Sequence, residues 1–438
     1  MDPALRSGTS FRDFSLDQWV EYIQSRHWRS IDMTLDRVSM VWERLGGKRS
    51  ACSITVAGTN GKGSTVRMLE TVLGHGIGSV GAYTSPHLVR FNERIRINGK
   101  EASTRDICEA FCTVEKAVGD TPLTYFEYAT LCALWLFCRH SLDIGILEVG
   151  MGGRLDAVNI IDSDLAVITS IGLDHEAWLG GDRETIALEK AGVMREGMPV
   201  VCSDRNMPGS LEAAACAKAA HLLVIGRDFD VVREQGALFW HGKNPRFPKS
   251  WQSIGPIRLP LAGTHQEDNM AGAVAALAIL SGRLGLDIAD VLEGIGRTMV
   301  SGRCQIAATD PLVVVDVAHN ADSVCSLVDF LNEHPVRGRT HAVFGALRDK
   351  TLDGILRPML PLVDRWHLAG LEGERGQSAD ELEGRFRAIA PYGRIDCRDN
   401  PKDAYLSALA CADRRDRIVI FGSFHVAGDI LESMNRAP

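Results

Sequence analysis

A chain of 438 residues, 45% hydrophobic and 24% charged, has the composition of an ordinary water-exposed protein and the length for two or three cores. Its formal charge of -8 argues against nucleic acid as a partner, which needs a concentrated basic face, but leaves room for a local cluster of Lys and Arg that receives an anionic substrate. Met1 to Ser10 lack a signal-type apolar core and no apolar run approaches bilayer length, so a cytoplasmic location without a membrane partner is expected; the eleven cysteines, odd in number and without a C-x-x-C pair, read as reduced hydrophobes and not as disulfides or a zinc site.

The first expected element is an amphipathic helix from Leu16 to His27, followed by Ile31 to Val38 and a second helix through Leu45. Cys52 to Ala57 then reads as a buried strand and Thr65 to Leu73 as a helix, with Gly58-Thr-Asn-Gly61-Lys62-Gly63-Ser64 between them. Glycines at such a junction let backbone amides close around a polyphosphate at a helix N-terminus, and Lys62, expected to point to solvent in the empty loop, supplies a charge toward the terminal phosphates. The usual P-loop has four residues between its first glycine and Gly-Lys, followed by Ser or Thr. Here the loop is shorter and Gly63 stands in the hydroxyl's place, so a motor, kinase or switch ATPase fits poorly; the competing reading is a glycine-rich turn with a surface lysine.

A second apolar strand, Leu142 to Glu148, ends on an acid, which makes Glu148 the first candidate ligand for a nucleotide's magnesium. A third, Asp164 to Ile171, runs into Gly172-Leu-Asp174-His175; from spacing alone His175 is a hydrogen-bonded structural histidine. Strands and helices alternate to about Leu284, interrupted from Arg227 to Pro260 by a segment suited to small antiparallel strands, while alanine-rich Ala271 to Leu280 reads as a buried helix. A second set of strands follows at Pro311 to Asp316, Thr340 to Gly345, Arg365 to Ala369 and Arg417 to Gly422. The expected fold is therefore α/β: a mostly parallel P-loop sheet domain over residues 1–297 and a smaller doubly wound, Rossmann-like domain over 298–438, hinged near Met299 to Gly302.

The ordered series Gly58-Thr-Asn-Gly-Lys-Gly-Ser64, Thr84-Ser-Pro-His-Leu88, Leu147-Glu-Val-Gly-Met-Gly-Gly-Arg-Leu-Asp156, Ile171-Gly-Leu-Asp-His175, Glu189-Lys-Ala-Gly192, Gly263-Thr-His-Gln266 with Asn269, Ser301-Gly-Arg303, Asp316-Val-Ala-His-Asn320 and Gly422-Ser-Phe-His425 resembles the folylpolyglutamate synthases, relatives of the Mur ligases. It covers nearly the whole chain, and Leu123-Thr-Tyr-Phe-Glu127 is most similar to the bifunctional type that also makes dihydrofolate. The resemblance implies an ATP-dependent ligase that joins L-glutamate to dihydropteroate and to reduced folates through an acyl phosphate, with Mg²⁺ and, among the cofactors it admits, a monovalent cation such as K⁺. It implies a monomer with small-molecule partners only.

By the same resemblance, Gly61, Lys62, Gly63, Ser64, Asn269, Arg303 and Asp316 hold ATP. Ser85, Glu148 and His175 ligate the metal, joined by Lys190 as a carbamate; spacing alone makes Lys190 a helix lysine paired with Glu184 or Glu189, and Ser85 a loop residue capping Pro86. Lys62, Lys190 and His319 are the implied catalytic groups, His319 being otherwise a cap on the following helix. Ile31, Asp32, Met33, Thr34, Leu123, Thr124, Tyr125, Phe126 and Asp156 align with pterin-binding positions, and Ser423 with His425 faces incoming glutamate. Tyr125 and Phe126 as plain core aromatics remain the alternative, and Thr34 departs from the glycine of the pattern. A sugar-nucleotide ligase of the Mur type would need a uridine-nucleotide domain ahead of the loop, where about fifty residues stand, and a guanine switch would need Asn-Lys-x-Asp, which is absent.

Overall fold

The computed structural model describes residues 11–27 and 32–435. Eight strands form the first sheet: β1 (Cys52–Ala57), β2 (Val80–Tyr83), β3 (Ile95–Ile97), β4 (Lys100–Glu101), β5 (Ile144–Glu148), β6 (Leu165–Ile168), β7 (Pro199–Cys202) and β8 (His221–Val224). Their spatial order is β4-β3-β2-β5-β1-β6-β7-β8, parallel from β2 to β8, with β3 and β4 antiparallel at one edge. Every residue of β1 is buried, as a central parallel strand covered on both faces requires. The helix Lys62–Leu73 and the alanine-rich helix Thr264–Leu284 cover one face, where they share a core with Ile54, Val56 and Val167. Small side chains let this 21-residue helix pack closely, and among the described residues no helix is long and apolar enough to cross a membrane.

The polar segment forms the expected antiparallel strands, β9 (Phe229–Glu234), β10 (Ala237–Gly242) and β11 (Ser253–Ile257). The third sheet contains β12 (Gln305–Thr309), β13 (Leu312–Val315), β14 (Thr340–Phe344), β15 (Arg365–Ala369), β16 (Ile395–Arg398) and β17 (Arg417–Phe421), in the order β12-β13-β17-β14-β15-β16. It is parallel except for β12 at the edge.

Chain-order expectations hold for the main strands, with shorter ends. The opening helix stops at Ser25, and the helix after the glycine loop begins at Lys62, three residues before the expected Thr65. Gly61 explains the early start: at φ 85 it makes the turn that sends Lys62 directly into helical geometry.

The two large sheets turn the carboxyl ends of their strands toward each other. The loops after β1, β2, β5 and β6 come from one side, and those after β13, β14 and β17 from the other. Asn60 and Asn320 join across this boundary through reciprocal amide hydrogen bonds of 3.1 and 3.0 Å. A crevice at the carboxyl ends of parallel strands is where α/β proteins assemble ligand sites.

Candidate active site

The glycine loop is closed by its surroundings. A methyl group at Gly58 would strike the Thr169 hydroxyl, and one at Gly61 would strike the Asn269 carboxamide, so Asn269 lies against the loop. Lys62 differs from expectation. It is half-buried, and its ammonium donates to the carbonyl oxygens of Gly58 at 3.0 Å and Thr59 at 3.1 Å, because the inward-turned loop offers acceptors closer than bulk water. Burial lowers the Lys62 pKa, opposed by the charges of Glu148 and Asp174. Within the first turn of that helix, the Ser64 and Thr65 hydroxyls are buried and have no hydrogen-bond partner among the described residues. Gly63 faces Glu148: a methyl placed there would lie 3.7 Å from its Oε2.

Glu148 ends β5, and the backbone N–H of Ser85 donates to its Oε2 at 3.3 Å, so two of the three implied metal ligands meet. Burial pushes the Glu148 carboxyl up to about 7, against the pull of Lys62 and of the Ser85 amide. His175 adopts the left-handed region at φ 53 and starts the short helix Glu176–Leu179; burial pushes its imidazole down to about 4, which keeps it neutral and ligand-competent near pH 7. Lys190 ends the helix Arg183–Lys190, is 2% exposed, and makes no hydrogen bond through its ammonium among the described residues. The pairing that spacing suggested does not occur: Glu189 binds Arg154 at 2.8 Å, and Glu184 accepts from the Ser210 amide at 2.8 Å. Burial, then the charge of Lys62, push Lys190 down to about 7. The carboxylate, the hydroxyl and the neutral imidazole suit a hard divalent cation, and the orphaned Ser64 and Thr65 hydroxyls lie on the helix turn that faces Glu148.

On the opposite side, Asp316 follows β13 and accepts from the Cys304 and Ala318 amides, both at 2.7 Å, which fixes its carboxylate. Arg303 lies over the Phe424 ring at 5.4 Å. His319 is not a helix cap: Asn320 caps the helix Ala321–Glu333, while His319 bonds the Val317 carbonyl through Nδ1 at 2.9 Å and points Nε2 to within 3.3 Å of the Asp174 carboxylate. Ser423 accepts from the Val426 amide at 3.2 Å, and His425 is exposed beside it. Where Gly263 and Thr264 lead into the helix that carries Asn269, a cavity of about 620 Å³ opens between Arg233, Leu238, Ile257, Leu261 and Glu333.

The implied pterin positions divide. Phe126 and Asp156 meet at Gly150, where a methyl would lie 2.6 Å from the Phe126 ring and 3.2 Å from Asp156 Oδ2; the Tyr83 ring lies tilted to Phe126 with centroids 6.0 Å apart. Burial pushes Asp156 up to about 6, although the Met151 and Val158 amides donate to it. Met33 approaches Gly152 in the same region. Asp32 instead pairs with Arg37 at 2.9 Å, and the Thr34 amide closes a turn onto its carbonyl at 3.2 Å. Thr124 caps the helix Tyr125–Arg139 in a capping box with Glu127, and Leu123 is fully buried in the core. Ile31 lies outside the described residues.

Sequence reasoning missed Asn60 and Lys350 and left Asp174 without a role. Asp174 gathers four donors: Lys350 Nζ at 2.6 Å, its neighbour's amide, that of His175, at 2.8 Å, Asn320 Nδ2 at 3.1 Å and His319 Nε2 at 3.3 Å. Burial works against its charge, but the bond from His319 and the positive charge of Lys350 hold it well below the usual carboxylate range. The available signal was positional, since Lys350 stands shortly after the carboxyl end of an apolar strand.

The Mur ligase middle domain family matches residues 56–277, and the Mur ligase, glutamate ligase domain family matches 302–424. The dihydrofolate synthase/folylpolyglutamate synthase of Escherichia coli (strain K12) is 40% identical over 422 residues, covering 95% of each chain. Among solved structures, E. coli FolC in complex with DHPP and ADP superposes with a TM-score of 0.89 at 38% identity, covering 98% of this chain and 99% of that one. A bifunctional folylpolyglutamate synthase/dihydrofolate synthase with Mn, AMPPNP and L-glutamate bound gives 0.87 at 36% identity, covering 98% and 100%.

Proposed function

The chain belongs to the dihydrofolate synthase/folylpolyglutamate synthase family of Mur ligases, and from that premise we propose that it adds L-glutamate to dihydropteroate, forming dihydrofolate, and to reduced folates, forming folylpolyglutamates, with ATP cleaved to ADP. The observation that carries this reading is the convergence of the Gly58–Gly63 loop, Glu148 with Ser85, and the Asp174–His319–Lys350 cluster at one crevice between two sheets.

A carboxylate does not condense with an amine at neutral pH until one of its oxygens becomes a leaving group. Transfer of the ATP γ-phosphoryl group to that oxygen makes an acyl phosphate; the glutamate amine attacks the carbonyl, the C–O bond breaks, phosphate departs, and the amine loses a proton. Two anions must meet for the first step, so charge compensation dominates catalysis. Lys62, released from the Gly58 and Thr59 carbonyls, turns toward the phosphates, and the loop amides with Ser64 complete the cradle. Asn269, Arg303 and Asp316 serve the nucleotide, Arg303 through its fixed fork of donors. Ser85, Glu148, His175 and a carbamylated Lys190 would hold magnesium, which supplies charge neutralisation at the transferring phosphoryl group; K⁺ is a further ion of this reading.

His319, held by Val317 and Asp174, lies where the two halves close, and Ser423 with His425 receives glutamate. Phe126 and Tyr125 cover the flat face of the pterin, while Asp156, raised toward neutrality, pairs with its aminopyrimidine edge. We divide the chain at 297/298 into a nucleotide- and pteroate-binding unit and a closing unit, acting as a cytoplasmic monomer. Glutamate- and pteroate-dependent release of phosphate from ATP by the purified protein tests the reading; ATP hydrolysis indifferent to both would overturn it.

A further inference from the structure

Arg94 is an unexplained charge beside this site. Only 6% of it is exposed, yet it forms no ion pair among the described residues, whereas its neighbour Arg96 binds Glu70 at 2.9 Å and Arg37 binds Asp32 at 2.9 Å. Its Nε donates to Nδ1 of His87 at 2.7 Å, and its guanidinium lies over the rings of Tyr125 at 5.2 Å and Phe91 at 5.7 Å. His87 cannot neutralise it: an imidazole that accepts through Nδ1 carries no negative charge. A buried cation without an anion is costly, and a folded protein keeps one where a ligand supplies the missing charge.

Position identifies that ligand. The carbonyl of Arg94 accepts from the Thr84 amide at 2.8 Å, next to Ser85, whose own amide donates to Glu148 at 3.3 Å. On its other side Tyr125 leads into Phe126 and the Asp156 pocket. Arg94 thus lies between the phosphate end and the aromatic end of the crevice, where a reacting carboxylate must pass. We propose that the Arg94 guanidinium, seated on Tyr125 and held by His87, binds a carboxylate of a reactant: that of the pteroyl or folyl substrate, or one from incoming glutamate. This rests on the ligase reading above.

Calorimetric titration of dihydropteroate and of glutamate into the nucleotide-loaded protein, with steady-state KM values beside it, compares the unmodified chain with Arg94→Lys and Arg94→Met. Losing a charge-assisted hydrogen bond should weaken one carboxylate reactant about 10- to 100-fold, Lys less than Met, while the KM for ATP stays within about twofold. Weakened dihydropteroate assigns the acceptor carboxylate; weakened glutamate assigns the incoming one. Unchanged affinity for both, even with a lowered unfolding midpoint, overturns the proposal and leaves Arg94 a packing residue. Should neither variant fold, a crystal structure of the unmodified protein with both reactants decides: a carboxylate oxygen within hydrogen-bond distance of Arg94 supports the proposal, and none within reach overturns it. Because binding is read apart from turnover, a protein that binds both reactants yet ligates nothing would sink the ligase reading alone.

Discussion

The ammonium of Lys350 lies 2.6 Å from the carboxylate of Asp174, tying the loop after β14 of one sheet to the loop after β6 of the other. Both side chains are 9% exposed, so the pair is screened little by solvent and its loss on one side leaves a nearly buried charge. Lys350→Met should therefore cost on the order of 2 to 3 kcal/mol in urea unfolding, and Lys350→Met with Asp174→Asn less than the two singles added. Strict additivity in that double-mutant cycle would show that the contact does not couple the two halves.

Lys62→Ala should reduce turnover on the order of 100-fold or more. The unfolding midpoint should barely move, because among the described residues the ammonium binds two carbonyls of its own loop and nothing beyond it. Near-normal turnover would rule out the phosphate-cradle role.

Substitution of Ser85, Glu148 or His175 by Ala should raise the magnesium concentration needed for half-maximal activity in each case. Glu148→Ala should be the worst, since it removes a charge as well as a donor. Magnesium titrations that leave all three variants unchanged would refute the shared site.

Lys190 carries two linked expectations. Its amine, brought down to about 7 by burial and by Lys62, has a substantial neutral fraction at physiological pH, as carbamate formation needs. Lys190→Ala should lose most activity and regain part with acetate, and ¹³C-labelled bicarbonate should give a carbamate resonance that the variant lacks. Without metal and CO₂ the sign is opposite for stability. An unfolded lysine binds its proton up to about 10.5 and the folded one only up to about 7, so stability rises with pH between these values, and Lys190→Met should stabilise the protein at pH 7. A destabilised Met variant would contradict the buried-cation account.

Far from the crevice, His341 and His367 are both buried, with His341 Nδ1 3.4 Å from His367 Nε2 and Asp416 and Asp396 at the two ends. Burial, then His341, push His367 down to about 4, so its contribution is complete above about 6.5 and is lost as pH falls toward 4. Across that window it accounts for about 3 kcal/mol of lost stability. Replacing His367 with Gln should flatten the stability profile between pH 6.5 and 4; an unaltered slope would show that other groups govern acid unfolding.

Some elements were plain in the chain and others were not, for identifiable reasons. Cys52–Ala57 and Thr340–Phe344 are short runs, mostly apolar or β-branched and buried throughout, so their strands could be read directly. Val80–Tyr83 could not: it is four residues long and holds Gly81, whose reason is the Phe137 ring that any methyl there would strike. Thr124, which the resemblance places among the pterin positions, also caps a helix, work worth about 1 kcal/mol that an aligned motif does not show.

The sequence by itself determined the glycine loop between β1 and its helix, the acid that ends β5 and the longer buried strands, because glycine, apolar run and helix are neighbours along the chain and their preferences act locally. Tertiary structure alone decided that Asp174 meets Lys350 across 176 residues, that Asn60 meets Asn320 across 260, and that Lys190 stands without the glutamate its helix offered. It also raised the Glu148 carboxyl to about 7 by excluding water from it. Pairing and protonation depend on which loops converge and on how much water they exclude, and neither is written in any contiguous stretch of residues.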